Sequence, residues 1–304
     1  MTEDYAVAAF YRFTRLDAPA AMRAQLAGLL GEISARGTVL LAGEGLNGTL
    51  CVPTRRYTAL VDILRAVPGC EDLAPRRSSS LGPAFRRLKV RVKPEIVTMG
   101  VAAADPAATV GTYVDPEDWN AFIRDPGTLV VDTRNAYEVS LGTFQGAEDP
   151  GTDTFRDFPA WLSNRVAEAK PDKIAMFCTG GIRCEKATSF ARRAGLGDVY
   201  HLRGGILAYL QATPPAGSLW QGECFVFDER VSLVHGLRRG AAKVCHACKY
   251  PVAGEDQSDP HYEEGVSCPK CYHVTTPAQK ARFAERQRQV RLAMAAGRAH
   301  LAGT

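Results

Sequence analysis

Residues 174–184 read I-A-M-F-C-T-G-G-I-R-C. Four apolar residues run into a cysteine and a pair of glycines, and a helical pattern then holds to about residue 194, where Gly195 stops it. A short apolar run that meets a glycine turn and opens a helix is the strand-to-helix joint of an open parallel sheet. Ligands bind such sheets beyond the carboxyl ends of the strands, so this joint marks a fold and a site together. Residues 129–132 form a second short apolar run, ending in Asp132, and residues 199–202 a third, followed by Gly204-Gly205. A mostly parallel, doubly wound domain is expected over residues 125–220.

The loop carries its own chemistry. Gly180 and Gly181 let the backbone of Thr179, Gly180, Gly181 and Ile182 curl so that N–H groups point inward as an anion cradle. The helix that follows adds positive potential, which favours the thiolate of Cys178. Arg183 adds a fixed charge, supporting the loop or an anionic substrate. A thiolate held this way accepts sulfur or attacks an electrophile. The bland alternative is a buried cysteine beside an ordinary turn. Cys184 reads either as a resolving thiol for Cys178 or as a packed helix residue. Asp132 reads either as an organiser of the loop or as a strand-end cap. The reading as a whole requires a thiol that ionises near neutral pH and is not sealed away from solvent.

Upstream, strands are expected over residues 5–13, 38–42, 46–52 and 85–92, with helices over 18–35 and 55–66. The order β-α-β-β-α-β suits a ferredoxin-like domain over residues 1–95. Residues 96–124, with prolines and small residues, read as a linker. Downstream, residues 221–304 form a smaller module with a helix over 277–298.

Nine cysteines in a chain without a secretory signal point to metal or catalysis before disulfides. Cys51, Cys70 and Cys224 stand alone and read as small buried residues. Cys245, Cys248, Cys268 and Cys271 form two C-x-x-C pairs separated by 19 residues. That is the spacing of a zinc ribbon, in which four thiolates close a tetrahedron and leave no position for catalysis. A structural zinc is therefore expected. Alternatives are four reduced thiols, or a ligand exchange with His246 or His273.

The formal net charge is +4 and the pI about 8.6. That mild bias is compatible with a nucleic-acid partner. Arg76, Arg77, Arg86, Arg87, Lys89, Arg91 and Lys93 cluster in the sequence, and Arg282, Arg286, Arg288 and Arg291 decorate the last helix. Either set reads as a phosphate-binding surface or as a solvated charged face. No apolar run is long enough for a membrane span. A cytoplasmic location is expected, and no flavin or nicotinamide motif is found.

Several strings together resemble the rhodanese family, and within it the tRNA uridine hydroxylase branch. They are V-V-D-T-R-N-A-Y-E-V (130–139), G-T-F-Q-G-A (142–147), C-T-G-G-I-R-C-E-K-A (178–187), H-L-R-G-G-I-L (201–207) and F-V-F-D-E-R-V (225–231). The first 95 residues look like that branch's acylphosphatase-like domain. The resemblance implies Cys178 as the active-site cysteine, with a tRNA partner. It also implies oxygen-dependent formation of 5-hydroxyuridine at the wobble position, with dioxygen as co-substrate. The loop alone predicts sulfur transfer from thiosulfate or a protein donor, and that alternative stays open here. Phosphatase chemistry is disfavoured, because Cys178 and Arg183 are one residue closer than in phosphatases of the related fold.

Overall fold

The computed structural model describes residues 4–296. Two compact units divide the chain, residues 1–239 and 240–304. The first opens with strand β1 (Asp4–Phe13), helix α1 (Pro19–Glu32), strands β2 (Arg36–Ala42) and β3 (Gly45–Pro53), and helix α2 (Tyr57–Arg65). Strands β4 (Arg76–Leu81) and β5 (Leu88–Val92) complete a five-stranded sheet in the order β4-β1-β3-β2-β5.

The first four of these are the ferredoxin-like order, but the closing strand is not the expected one. Residues 76–81 pair antiparallel with β1, while β5 runs parallel to β2 at the opposite edge. β4 reads R-R-S-S-S-L, with no β-branched or aromatic residue, and half-buried positions alternate with exposed ones. An edge strand that buries so little carries almost no hydrophobic signal.

Alternation divides the residues of this sheet between two faces. Ala8, Phe10, Val39, Leu41, Leu46 and Leu50 pack with Leu26 and Leu30 of α1 and Leu60 and Leu64 of α2. The other face carries no helix. There the register aligns Arg76, Ala9, Thr49, Thr38 and Lys89 in one row across all five strands. Tyr11, Asn47, Leu40 and Arg91 form the next row.

The second sheet is wholly parallel, in the order β6-β10-β9-β7. Its strands are β6 (Thr112–Val114), β7 (Thr128–Asp132), β9 (Lys173–Phe177) and β10 (Asp198–Leu202). Helices α3 (Pro116–Ile123), α4 (Ala136–Val139), α5 (Phe158–Ala169), α6 (Ile182–Arg193) and α7 (Gly205–Ala212) fall around them. Ile174 and Met176 of β9 pack with Phe158, Leu162 and Ala187 on one side. Ala175 and Phe177 pack with Trp119, Ile206 and Leu210 on the other. A strand buried on both faces reads as a continuous apolar run, which is why β9 was legible. β6 and α3 lie inside the stretch read as a linker. Three strand residues and an eight-residue helix give too short a pattern to separate from loop.

The short strands β8 (Gly142–Phe144) and β11 (Trp220–Gly222) pair with each other. A small sheet of β12 (Cys224–Phe225), β13 (Ser232–Val234) and β14 (Arg238–Arg239) follows. The unit thus runs past residue 221, where the sequence suggests a boundary. The second unit holds a two-stranded ribbon, β15 (Lys243–Val244) and β16 (Pro251–Val252), and helix α8 (Pro277–Ala295). Thr276 caps α8, accepting from the Gln279 N–H while the Gln279 side chain accepts from the Thr276 N–H. Of the helix expected over 277–298, positions 297 and 298 lie outside the described residues.

Candidate active site

Cys178 follows the last residue of β9, between β7 and β10, at the carboxyl end of the parallel sheet. The chain turns through Gly181, whose φ of +104° is the left-handed conformation open to glycine. Its N–H points back and donates to Cys178 Sγ at 3.1 Å. Gly180 needs no such φ, and a Cβ there would meet nothing. Of the two glycines, Gly181 shapes the loop and Gly180 leaves space above it.

A second glycine pair secures the loop from behind. The N–H groups of Ile206 and Leu207, in the first turn of α7, donate to the carbonyls of Cys178 (2.9 Å) and Thr179 (3.0 Å). A Cβ on Gly205 would collide with those same carbonyl oxygens. The Cys178 and Thr179 carbonyls are thereby turned toward α7, while the Gly181 N–H turns to the sulfur.

The surroundings of the Cys178 thiol lower it from the ordinary thiol range to about 6. Burial works against ionisation. It is outweighed by a hydrogen bond from the Cys184 thiol, the Arg183 charge, and the N–H groups of Cys184 and Gly181. Burial, the Cys178 hydrogen bond and the Cys178 charge hold Cys184 well above the ordinary thiol range. Cys184 is therefore the less acidic of the two thiols, and it donates to Cys178. Cys178 is only 1% exposed, yet it lines a cleft of about 1000 Å³ with Thr179 and Gly180.

Arg183 does not reach out for a substrate anion. Its two terminal nitrogens grip Glu138 at 2.6 and 2.8 Å, in a buried bidentate pair. Glu138 also accepts from the N–H of Asn135, so the pair ties α6 to the turn that starts α4. Asp132 makes a parallel arrangement with Arg134, at 2.9 and 2.6 Å, and accepts from Thr143 at 2.8 Å. Its bonds run along its own strand end and to β8 rather than to residues 178–184.

The next two residues of the string dock the two sheets. Glu185 accepts from the hydroxyls of Tyr11 (2.9 Å) and Tyr113 (2.8 Å). Lys186, 1% exposed, pairs with Glu44 (2.9 Å) and Glu95 (2.5 Å). These contacts set the helix-free face of the first sheet opposite the Cys178 loop. Ala9, Tyr11, Leu40 and Asn47 line the cleft on that side. Arg76 borders it at one edge of the sheet, and Lys93 extends the other edge beyond Lys89 and Arg91. The basic run is thus split between two edges, and Arg86 is paired with Glu229 at 3.0 Å.

Residues 5–96 match the UPF0176 acylphosphatase like domain, and residues 115–212 match the Rhodanese-like domain. A protein of Mesorhizobium japonicum named tRNA uridine(34) hydroxylase is 54% identical over 96% of this chain and 94% of its own length. Proteins of the same name from Gluconobacter oxydans and Agrobacterium fabrum are each 51% identical over 98% of this chain, covering 97% and 95% of their own lengths. The chain belongs to the tRNA uridine(34) hydroxylase family. In this family member, the string C-T-G-G-I-R-C-E-K holds residues for two tasks. Residues 178–184 build the thiolate site, and Glu185 and Lys186 bring the first sheet to it.

The second unit carries a separate centre. The sulfurs of Cys245, Cys248, Cys268 and Cys271 all lie within 4.8 Å of one another. Neighbouring sulfurs are 3.7 and 3.8 Å apart. A tetrahedron with metal–sulfur bonds of about 2.3 Å has edges of about 3.8 Å, whereas a disulfide would bring two sulfurs to about 2.05 Å. The four residues fit a single metal ion, and neither His246 nor His273 is in the set. Cys51, Cys70 and Cys224 are fully buried, as expected of isolated cysteines. Glu138 and Gly205 are functional supports that the sequence did not reveal. Both stand in strings quoted above, but their partners are 45 and 27 positions distant.

Proposed function

We propose that this chain hydroxylates uridine-34 of tRNA to 5-hydroxyuridine, with dioxygen as co-substrate. One observation carries the reading: an anionic Cys178 at the floor of a cleft bordered by arginine and lysine, in a chain half identical to named hydroxylases over nearly its whole length. The Cys178 thiolate adds to C6 of the uracil ring, and the electron pair of the C5–C6 double bond moves to C5. Dioxygen then gives one oxygen atom to C5. The other leaves as water, taking two electrons and two protons from a thiol pair that becomes a disulfide. Loss of the C5 proton and cleavage of the C6–S bond return the thiolate. Sulfur transfer is not favoured, since the relatives carry the hydroxylase name.

The helix-free face of the first sheet and its basic edges, with Arg86, Arg87, Lys89, Arg91 and Lys93 on or beside β5, receive the tRNA phosphates in this reading. The four cysteines of the second unit hold one zinc ion, which supports folding and takes no part in the reaction. Elemental analysis that finds no metal bound to pure protein would remove the zinc assignment. No helix among the described residues is long and apolar enough to cross a membrane. A tRNA substrate fits a cytoplasmic enzyme, which is the location in this reading.

The test is mass spectrometry of nucleosides from tRNA incubated aerobically with pure protein and a thiol reductant. The expected product is uridine-34 heavier by one oxygen atom, absent under argon. A product heavier by the exchange of oxygen for sulfur would favour the transferase instead.

A further inference from the structure

The cleft has a feature that neither the thiolate nor the basic edges account for. Phe227, in the loop between β12 and β13, lines the cleft but is 63% exposed. Water-exposed phenyl rings on loops are common, but this loop is not free to bury its ring. Asp228 and Arg230 form a buried bidentate pair, at 2.9 and 2.6 Å. Arg230 also donates to Ser78 Oγ of β4 at 2.7 Å, and the Glu229 N–H donates to the Ala84 carbonyl at 2.9 Å. Val231, a β-branched residue, sits at φ +68°, a conformation such residues rarely adopt. Backbone strain of this kind persists only where surrounding contacts impose it, and it collects at ligand sites.

The ring is therefore held out at a fixed place. Its aromatic contact among the described residues is an edge-to-face approach to Phe225, centroids 5.1 Å apart, and Phe225 meets Tyr137 in the same way at 5.6 Å. Tyr137 lines the cleft with Cys178. An aromatic series thus runs from the walls of the thiolate site to the exposed ring. The same cleft presents Arg76 and Lys93 alongside the carboxylates of Glu95, Glu185 and Asp228; Arg76 donates to the neutral Gln211, and neither cation has an ion pair among the described residues. A volume of about 1000 Å³ exceeds what one pyrimidine fills. An exposed aromatic ring in a cleft that also presents cations without carboxylate partners is what an unpaired nucleobase on a phosphate backbone binds.

We propose that Phe227 is a stacking residue for an unpaired nucleobase of the tRNA anticodon loop, held ready by the Asp228–Arg230 pair. This deepens the functional reading above and rests on it. The experiment uses the full chain as purified, with its metal. Binding of transcribed tRNA is followed by fluorescence anisotropy, and hydroxylation by nucleoside mass spectrometry. Phe227→Ala is expected to raise Kd and KM by about tenfold or more, with kcat changed less than about twofold. Phe227→Leu keeps apolar bulk without the ring and is expected to behave like alanine, while Phe227→Tyr stays near wild type. Alkylation of Cys178 by iodoacetamide is expected to proceed at one rate in all four proteins, showing an intact loop. Wild-type Kd in the alanine or leucine variant overturns the proposal. A wild-type protein that binds no tRNA overturns the functional reading, and the stacking role with it.

Discussion

Cys178→Ser is expected to abolish 5-hydroxyuridine formation, by about a thousandfold or more, while leaving the fold intact. The two side chains differ by one atom of similar shape, and the loop is secured through backbone carbonyls that serine retains. What changes is the charge. The environment that brings the thiol to about 6 acts on a group that already ionises near 9. A serine hydroxyl starts many units higher, and the same Arg183 charge and two N–H groups leave it neutral at any pH the protein survives. A neutral hydroxyl is a poor nucleophile toward C6. Nucleoside mass spectrometry of tRNA from cells whose only copy is the serine variant reads the loss. Full modification in those cells would remove Cys178 from the mechanism.

Glu138→Gln is expected to destabilise the first unit by about 3–5 kcal/mol, more than any surface substitution. Glu138 is fully buried and holds both arms of Arg183, which is 8% exposed. Arg183 lies far above the range in which it releases its proton, so removing the carboxylate strands a charge away from water. The amide also accepts more weakly from the Asn135 N–H. A second substitution separates structure from chemistry. Arg183→Met in the same background removes the stranded charge and is expected to recover part of the stability. It also removes a charge that lowers the Cys178 thiol, so its activity should fall while the melting temperature rises. Urea and thermal melts of the two variants against wild type give the stabilities, and nucleoside mass spectrometry gives the activities. A stability unchanged in Glu138→Gln would show that the pair carries little.

The thiolate loop was legible because its chemistry is local. Strand, cysteine, glycines, arginine and helix follow one another within about a dozen residues, and each acts on its neighbours. The metal centre was legible for a similar reason, since C-x-x-C knuckles state their geometry in their spacing. The supports of the loop were not legible. Nothing near Glu138 in sequence shows that Arg183 will meet it, and Gly204-Gly205 reads as a turn until Gly205 is seen against the Cys178 carbonyl. Strand β4 failed for a different reason. Its stability comes from pairing with β1 and not from burial, so its composition resembles that of a polar loop. The basic run misled in the same way. A linear cluster of arginines and lysines becomes two separate edges once β4 and β5 take opposite sides of the sheet.

All of the chemistry begins with a sulfur held as an anion among N–H groups and one arginine. The rate of iodoacetamide alkylation of Cys178, followed by peptide mass spectrometry from pH 4 to about pH 10, measures that directly. A rate that rises through a midpoint near 6 and is flat by pH 8 is the predicted result, because the thiol is already ionised above its own pKa. A midpoint above about 8, or no alkylation in the folded protein at any pH, would contradict it.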